Sequence, residues 1–207
     1  MEKPGLLADS TPLGLGAFAT CAFWLSLINS GLVPPPLIQA FIAPLIFFGG
    51  MIQILVGAWE IKRNNVFAAT AFGTYGSFLL SFGFLIWLQV AHVIDLGKYA
   101  HMASGVFVLG YLIVSVYLLL ISFRTEWFMV MAFLIVVVEL LLLALADFGL
   151  MSEHIAGWVG ILLAVVIWYG AAAKLLNAVE GRIVLPLGEI RKHVENVRDG
   201  DRLEVKA

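Results

Sequence analysis

Charge is what this 207-residue sequence lacks. Only 13% of its residues are Asp, Glu, Lys or Arg, and from Ser10 to Trp59 there is none. Such a run excludes a soluble surface over that stretch and accommodates two membrane spans of roughly 20 residues each. Cysteine is scarcer still. The single Cys21 excludes an internal disulfide and a cysteine-rich metal site, and its apolar setting gives it a packing role. No Lys or Arg falls inside an apolar segment, so an anionic substrate would need hydroxyls, amides, helix N-termini or a proton rather than a buried cation. The net charge of -2 carries no information about nucleic acid, and neither a nucleic-acid partner nor a cofactor is expected.

What is present is apolar surface. A 62% hydrophobic composition and a mean hydropathy of +1.01 place the chain among polytopic membrane proteins, in contact with lipid. The fold class expected is all-α, a six-transmembrane-helix bundle. Its spans run from Leu13 to Val33, Leu37 to Ala58, Val66 to Val90, Tyr99 to Ser122, Trp127 to Ala146 and His154 to Ala173. Consecutive prolines in "VPPP", Val33 to Pro36, separate the first two spans. The first segment is too long for a signal-peptide core and is expected to remain as the first helix. Three regions follow: an N-terminal segment 1–10, a transport-sized helical domain 11–187 and a polar tail 188–207 that begins as a short amphipathic helix.

Eleven of the twelve basic residues fall on one side of this bundle and only Lys98 on the other. The positive-inside rule then puts both termini in the cytoplasm; the location expected is the plasma (inner) membrane.

The stretch "FFGGMIQILVGAWE", Phe47 to Glu60, places Gly50, Gln53, Gly57 and Glu60 on one helical stripe. Small residues permit close helix approach in a bilayer, and an amide such as Gln53 supplies an interhelical hydrogen bond. Gly73 and Gly76 in the third span fit the same packing role. Glu60 reads as an interfacial residue paired with Lys62, Arg63 or a helix end. Glu139, mid-span in "FLIVVVELLLLAL", has two readings, a proton relay and a protonated or subunit-interface glutamate.

An enzyme is not expected. His92, Asp95, His101, Asp147, Glu153 and His154 gather near one face, but without metal-ligand spacing or a convergent catalytic set.

Three strings carry a family resemblance: "STPLGLGAFA", "FGGMIQILVGAWEIKRNNVFAATAFGTYGSF" and "HIAGWVGILLAVVIWYGAAAKLLNAVEGRIVLPLG". Together they resemble the acetate uptake transporter family, the succinate and acetate permeases. The family's usual Asn-Pro-Ala-Pro-Leu-Gly-Leu opening is here Asp9 to Leu15, without its Asn and first Pro, and Glu139 lies outside the matching strings.

The resemblance implies a homo-hexamer with one path per protomer for small carboxylates, either proton-coupled or channel-like. It also implies a constriction at Phe18, Tyr75 and Val136, each of which has packing as its alternative. The Tyr75 hydroxyl is placed to donate to a passing carboxylate. Asn29, Gln53 and Glu60 are the candidate polar groups along the path, and Asn29 serves equally well as a helix cap. A urea or short-amide channel of related architecture and a non-transporting receptor are the alternatives.

Overall fold

The computed structural model describes residues 8–188 and Ile190. The amphipathic start expected for the tail lies outside these residues.

Helix α1, Thr11–Asn29, starts with Pro12 in its first turn, where the missing N–H costs no hydrogen bond. It stops at Asn29, short of the expected Val33, because Gly31 takes a left-handed conformation with φ +76° and Pro34 to Pro36 follow.

The second span is expected as one helix but is built in pieces. A 3-10 turn at Pro35–Leu37 leads into α2, Ile38–Pro44, then a π-helical stretch, Leu45–Ile52, and finally α3, Gln53–Lys62. Pro44 cannot donate to the preceding turn, and Gly49 and Gly50 let the backbone widen behind it. Asn65 caps α4, Val66–Val90, by accepting from the Ala68 N–H at 3.2 Å.

Helices α5, Ala100–Ser122, and α6, Trp127–Asp147, follow. Ser152 caps α7, Glu153–Glu180, which runs past the expected end at Ala173 until Gly181 turns the chain at φ +63°.

Six segments among the described residues are thus long and apolar enough to cross a membrane. Among the described residues there is no β-strand. Thr11 and Glu180 lie at one end of the bundle, the terminal end; the connections after α1, α4 and α6 lie at the opposite end.

The stripe of Gly50, Gln53, Gly57 and Glu60 is fully buried, and α4 covers it. A Cβ added to Gly57 would sit 3.0 Å from the Gly73 nitrogen and 3.1 Å from the Ala69 carbonyl oxygen. One on Gly76 would come within 2.8 Å of the Ile54 nitrogen, and one on Gly50 within 2.7 Å of Leu80 Cβ. Gly73 acts differently: it offers its backbone to Gly57, while its own Cβ direction is open. Backbone contact of this kind holds helices together where lipid provides no hydrophobic drive.

Replacing Gly57 with leucine should therefore part α3 from α4 at a cost of about 1–3 kcal/mol or more. Thermal unfolding in detergent measures this, and an unshifted melting temperature would mean the α3–α4 contact tolerates a side chain.

One expectation for the stripe is corrected and another refined. Gln53 makes no interhelical bond; its Nε2 donates back to the Gly49 carbonyl at 2.6 Å, a bond within the same span made reachable by the π-helical stretch. Glu60 pairs with Arg63 as expected, but its side chain is completely buried rather than wet. Ser10 Oγ and Arg63 Nη1 donate to its Oε1 at 2.6 and 2.8 Å, and Asn65 Nδ2 donates to Oε2 at 2.9 Å.

Arg63 also reaches Asp9 at 2.7 Å. Partial burial works against an ionised Asp9, but bonds from the Thr11 N–H and hydroxyl together with Arg63 hold its carboxyl below the ordinary range. The cluster ties the start of α1 to the turn between α3 and α4.

Candidate functional site

Three cavities lie in sequence along the bundle. The cavity open to the opposite end has a volume of about 300 Å³ and is lined by Asn29, Phe78, Phe82, Ser104, Glu139 and Asp147, among others. Below it lies a small apolar cavity of about 50 Å³, bordered by Leu15, Gln53, Phe72, Ala132, Phe133 and Ile167. The two share three lining residues: Phe18 from α1, Tyr75 from α4 and Val136 from α6. The small cavity in turn shares Phe67, Ala68 and Met129 with a mouth at the terminal end, where Asn65, Arg124, Thr125 and Lys174 gather.

Packing fixes the partition between the upper two cavities. The Phe18 and Tyr75 rings meet edge to face at 5.2 Å between centroids, and Phe133 lies 6.2 Å beyond Tyr75. Gly14, one turn before Phe18, leaves room for the Phe72 ring, which a Cβ there would meet at 2.5 Å. The Tyr75 hydroxyl is held at 2.8 Å from Ser115 Oγ, and Ser115 donates to the Tyr111 carbonyl at 2.7 Å. Ser115 has one hydrogen, already used, so Tyr75 is the donor in the pair. That hydroxyl is therefore committed to α5 rather than to a passing carboxylate.

The other polar candidates separate. Asn29 lines the upper cavity and Gln53 the lower, with Gln53 Oε1 buried and without a hydrogen-bond partner among the described residues. Glu60 lines none of the three cavities. At the terminal mouth Lys174 pairs with Glu126 at 2.9 Å. Among the described residues no cluster of His, Cys, Asp or Glu is arranged to hold a metal.

Sequence reasoning missed Phe133, whose spacing from Val136, Glu139 or Leu140, and Leu143 follows one helical face. It missed Ser115 as well, since no local signal pairs α4 with α5.

Six apolar spans enclosing an interrupted line of cavities define a polytopic membrane bundle. The chain belongs to the GPR1/FUN34/yaaH family, which it matches over residues 3–191. It is 30% identical to the succinate-acetate/proton symporter SatP of Escherichia coli K12 over 88% of this chain and 96% of that protein. It is also 30% identical to acetate permease A of Emericella nidulans, over 87% of this chain and 65% of the relative. With ammonia transport outward protein 2 of Saccharomyces cerevisiae it shares 31% identity over 81% of this chain and 61% of the relative. The chain thus spans under two thirds of these fungal proteins. The solved structure of a bacterial acetate channel, SatP, superposes with a TM-score of 0.81 at 30% identity, covering 88% of this chain and 99% of that one.

Proposed function

We propose that this chain carries acetate and similar small carboxylates, succinate included, across a membrane, with Phe18, Tyr75 and Val136 as its gate. The observation that supports this most is that these three residues, alone among the described residues, border both the upper and the lower cavity. An aromatic and aliphatic partition of this kind passes small solutes and resists hydrated ones. The relatives named as acetate permease, acetate channel and succinate-acetate/proton symporter supply the substrate class.

Radiolabelled acetate uptake into proteoliposomes, with and without an imposed pH gradient, tests the reading. Urea, lactate, succinate and methylammonium serve as competitors, the last because of the yeast relative's name. Uptake no greater than in protein-free vesicles would overturn it, and competition by urea alone would favour the amide-channel alternative.

The proposal extends to the setting. Residues 11–187 form one transport domain in the plasma membrane, with segments 1–10 and 188–207 cytoplasmic and six copies forming a hexamer as the family resemblance implies. Light scattering of the detergent-solubilised protein reads the hexamer.

Topology has a clean assay because Cys21 is fully buried. A membrane-impermeant maleimide should label Lys98→Cys from outside intact cells and leave Lys62→Cys untouched; the reverse pattern would invert the orientation.

A further inference from the structure

Glu139 is the one acidic side chain deep within the upper cavity, and its surroundings form a niche for a carboxyl group. It is more than nine-tenths buried and lines the cavity one turn above Val136. Ser26 Oγ on α1 donates a long hydrogen bond of 3.5 Å to Oε1; among the described residues no protein donor reaches Oε2. Gly160 on α7 makes the space, because a Cβ there would overlap both Ser26 Oγ and Glu139 Oε1. Helices α1, α6 and α7 thus each contribute to one small site.

The charged groups around it share a sign. Asp147 on α6 and Glu153 on α7 line the same cavity, and among the described residues no Lys or Arg does. The other titratable groups nearby are Tyr75 from α4, bound to Ser115, and the exposed His101 from α5, 3.5 Å from Asp147. From α1 the facing polar groups are the uncharged Ser26 and Asn29. An ionised Glu139 would repel an arriving carboxylate strongly in so dry a place. A protonated one would donate to it, and two carboxyls holding one proton between them make a strong, charge-assisted bond.

We propose that Glu139 binds the carboxyl group of the transported acid with one shared proton and passes that proton to it, so that the acid enters the constriction neutral. The inference rests on the transport reading above. In the step, the O–H bond on Glu139 breaks as one forms on the substrate carboxylate. The neutral acid moves on past Phe18, Tyr75 and Val136. Glu139, left as a carboxylate, regains a proton from water through the mouth lined by Asp147 and Glu153. One proton and one carboxylate enter together, and no net charge crosses the apolar gate. Among the described residues no Lys or Arg lines the upper or the small cavity, so a proton is the neutralising partner the site provides.

The test compares two quantities in proteoliposomes after subtraction of protein-free vesicles: acetate accumulation driven by a pH gradient, and acetate exchange at equal pH. Glu139→Gln should lower the ratio of accumulation to exchange by roughly tenfold, and Glu139→Asp, which keeps a titratable carboxyl, should restore it. An unchanged ratio in Glu139→Gln overturns the inference while leaving transport intact. Absence of any protein-dependent flux in the wild type overturns the transport reading instead.

A measurement on the wild type stands in should Glu139→Gln fail to fold. Dicyclohexylcarbodiimide, which attacks protonated carboxyls in apolar surroundings, should modify Glu139 as read by mass spectrometry. Saturating acetate should block the modification and acetamide should not. Labelling of Glu139 that acetate leaves unaltered would sink the proposal.

Discussion

Tyr75→Ala is expected to raise lactate flux relative to acetate flux by roughly tenfold, equivalent to about 1.4 kcal/mol of barrier difference. The Tyr75 ring borders both cavities and is braced by Phe18 at 5.2 Å and by its hydroxyl bond to Ser115 at 2.8 Å. Removing the ring widens the dry passage, and widening favours the larger acid, whose extra hydroxyl must otherwise shed water to enter. Tyr75→Phe keeps the ring and should keep size selection. Its hydroxyl belongs to Ser115 rather than the path, so acetate flux should suffer only through a loosened α4–α5 contact. A ring that merely packs predicts another outcome, a lower melting temperature with the flux of every acid reduced together. The ratio of lactate to acetate separates these outcomes when protein per vesicle is held equal. A wild-type ratio in both Tyr75→Ala and Phe18→Ala would remove these residues from the gate.

How much of this is legible in the sequence depends on the range of the interactions involved. Hydropathy marks the six spans because the bilayer requires long uninterrupted apolar runs, and Pro34 to Pro36 mark the first break. The π-helical stretch is not legible in the same way. Pro44 and Gly49–Gly50 are visible, but whether a helix stops, kinks or widens at such residues is decided by what packs there, here α4 against Gly50.

Site residues divide along the same line. Phe18 and Tyr75 stand in strings with recognisable spacing, whereas Phe133 and Ser115 reach the partition through helices whose sequences resemble any apolar span. Glu139 is conspicuous by charge alone. That Ser26 and Gly160 form its niche depends on α1 and α7 packing together, which neither helix encodes locally. Glu60 is half legible: its pairing with Arg63 follows from the local sequence, but its burial depends on Ser10 and Asn65 returning over it.

Glu60→Ala is expected to lower stability by about 3 kcal/mol, toward the lower end for breaking a buried ion pair because Arg63 is partly exposed and can rehydrate. The mutation leaves the Asn65 amide and the Ser10 hydroxyl without their carboxylate acceptor and opens a void where no solvent reaches. On the scale of a chain this size that is a melting-temperature drop of roughly 6–12 °C. Glu60→Gln keeps the shape and one acceptor oxygen, so its loss should be smaller. Arg63→Ala combined with Glu60→Ala should cost less than the sum of the two single changes, because both remove the same contact. A residue on the transport path would behave otherwise: Glu60→Ala would leave the melting temperature in place and alter acetate flux per folded protein. With Glu60 lining none of the three cavities, the expected pattern is a large thermal shift and, in the fraction that folds, an unchanged lactate-to-acetate ratio. A changed ratio with normal stability would return Glu60 to the path.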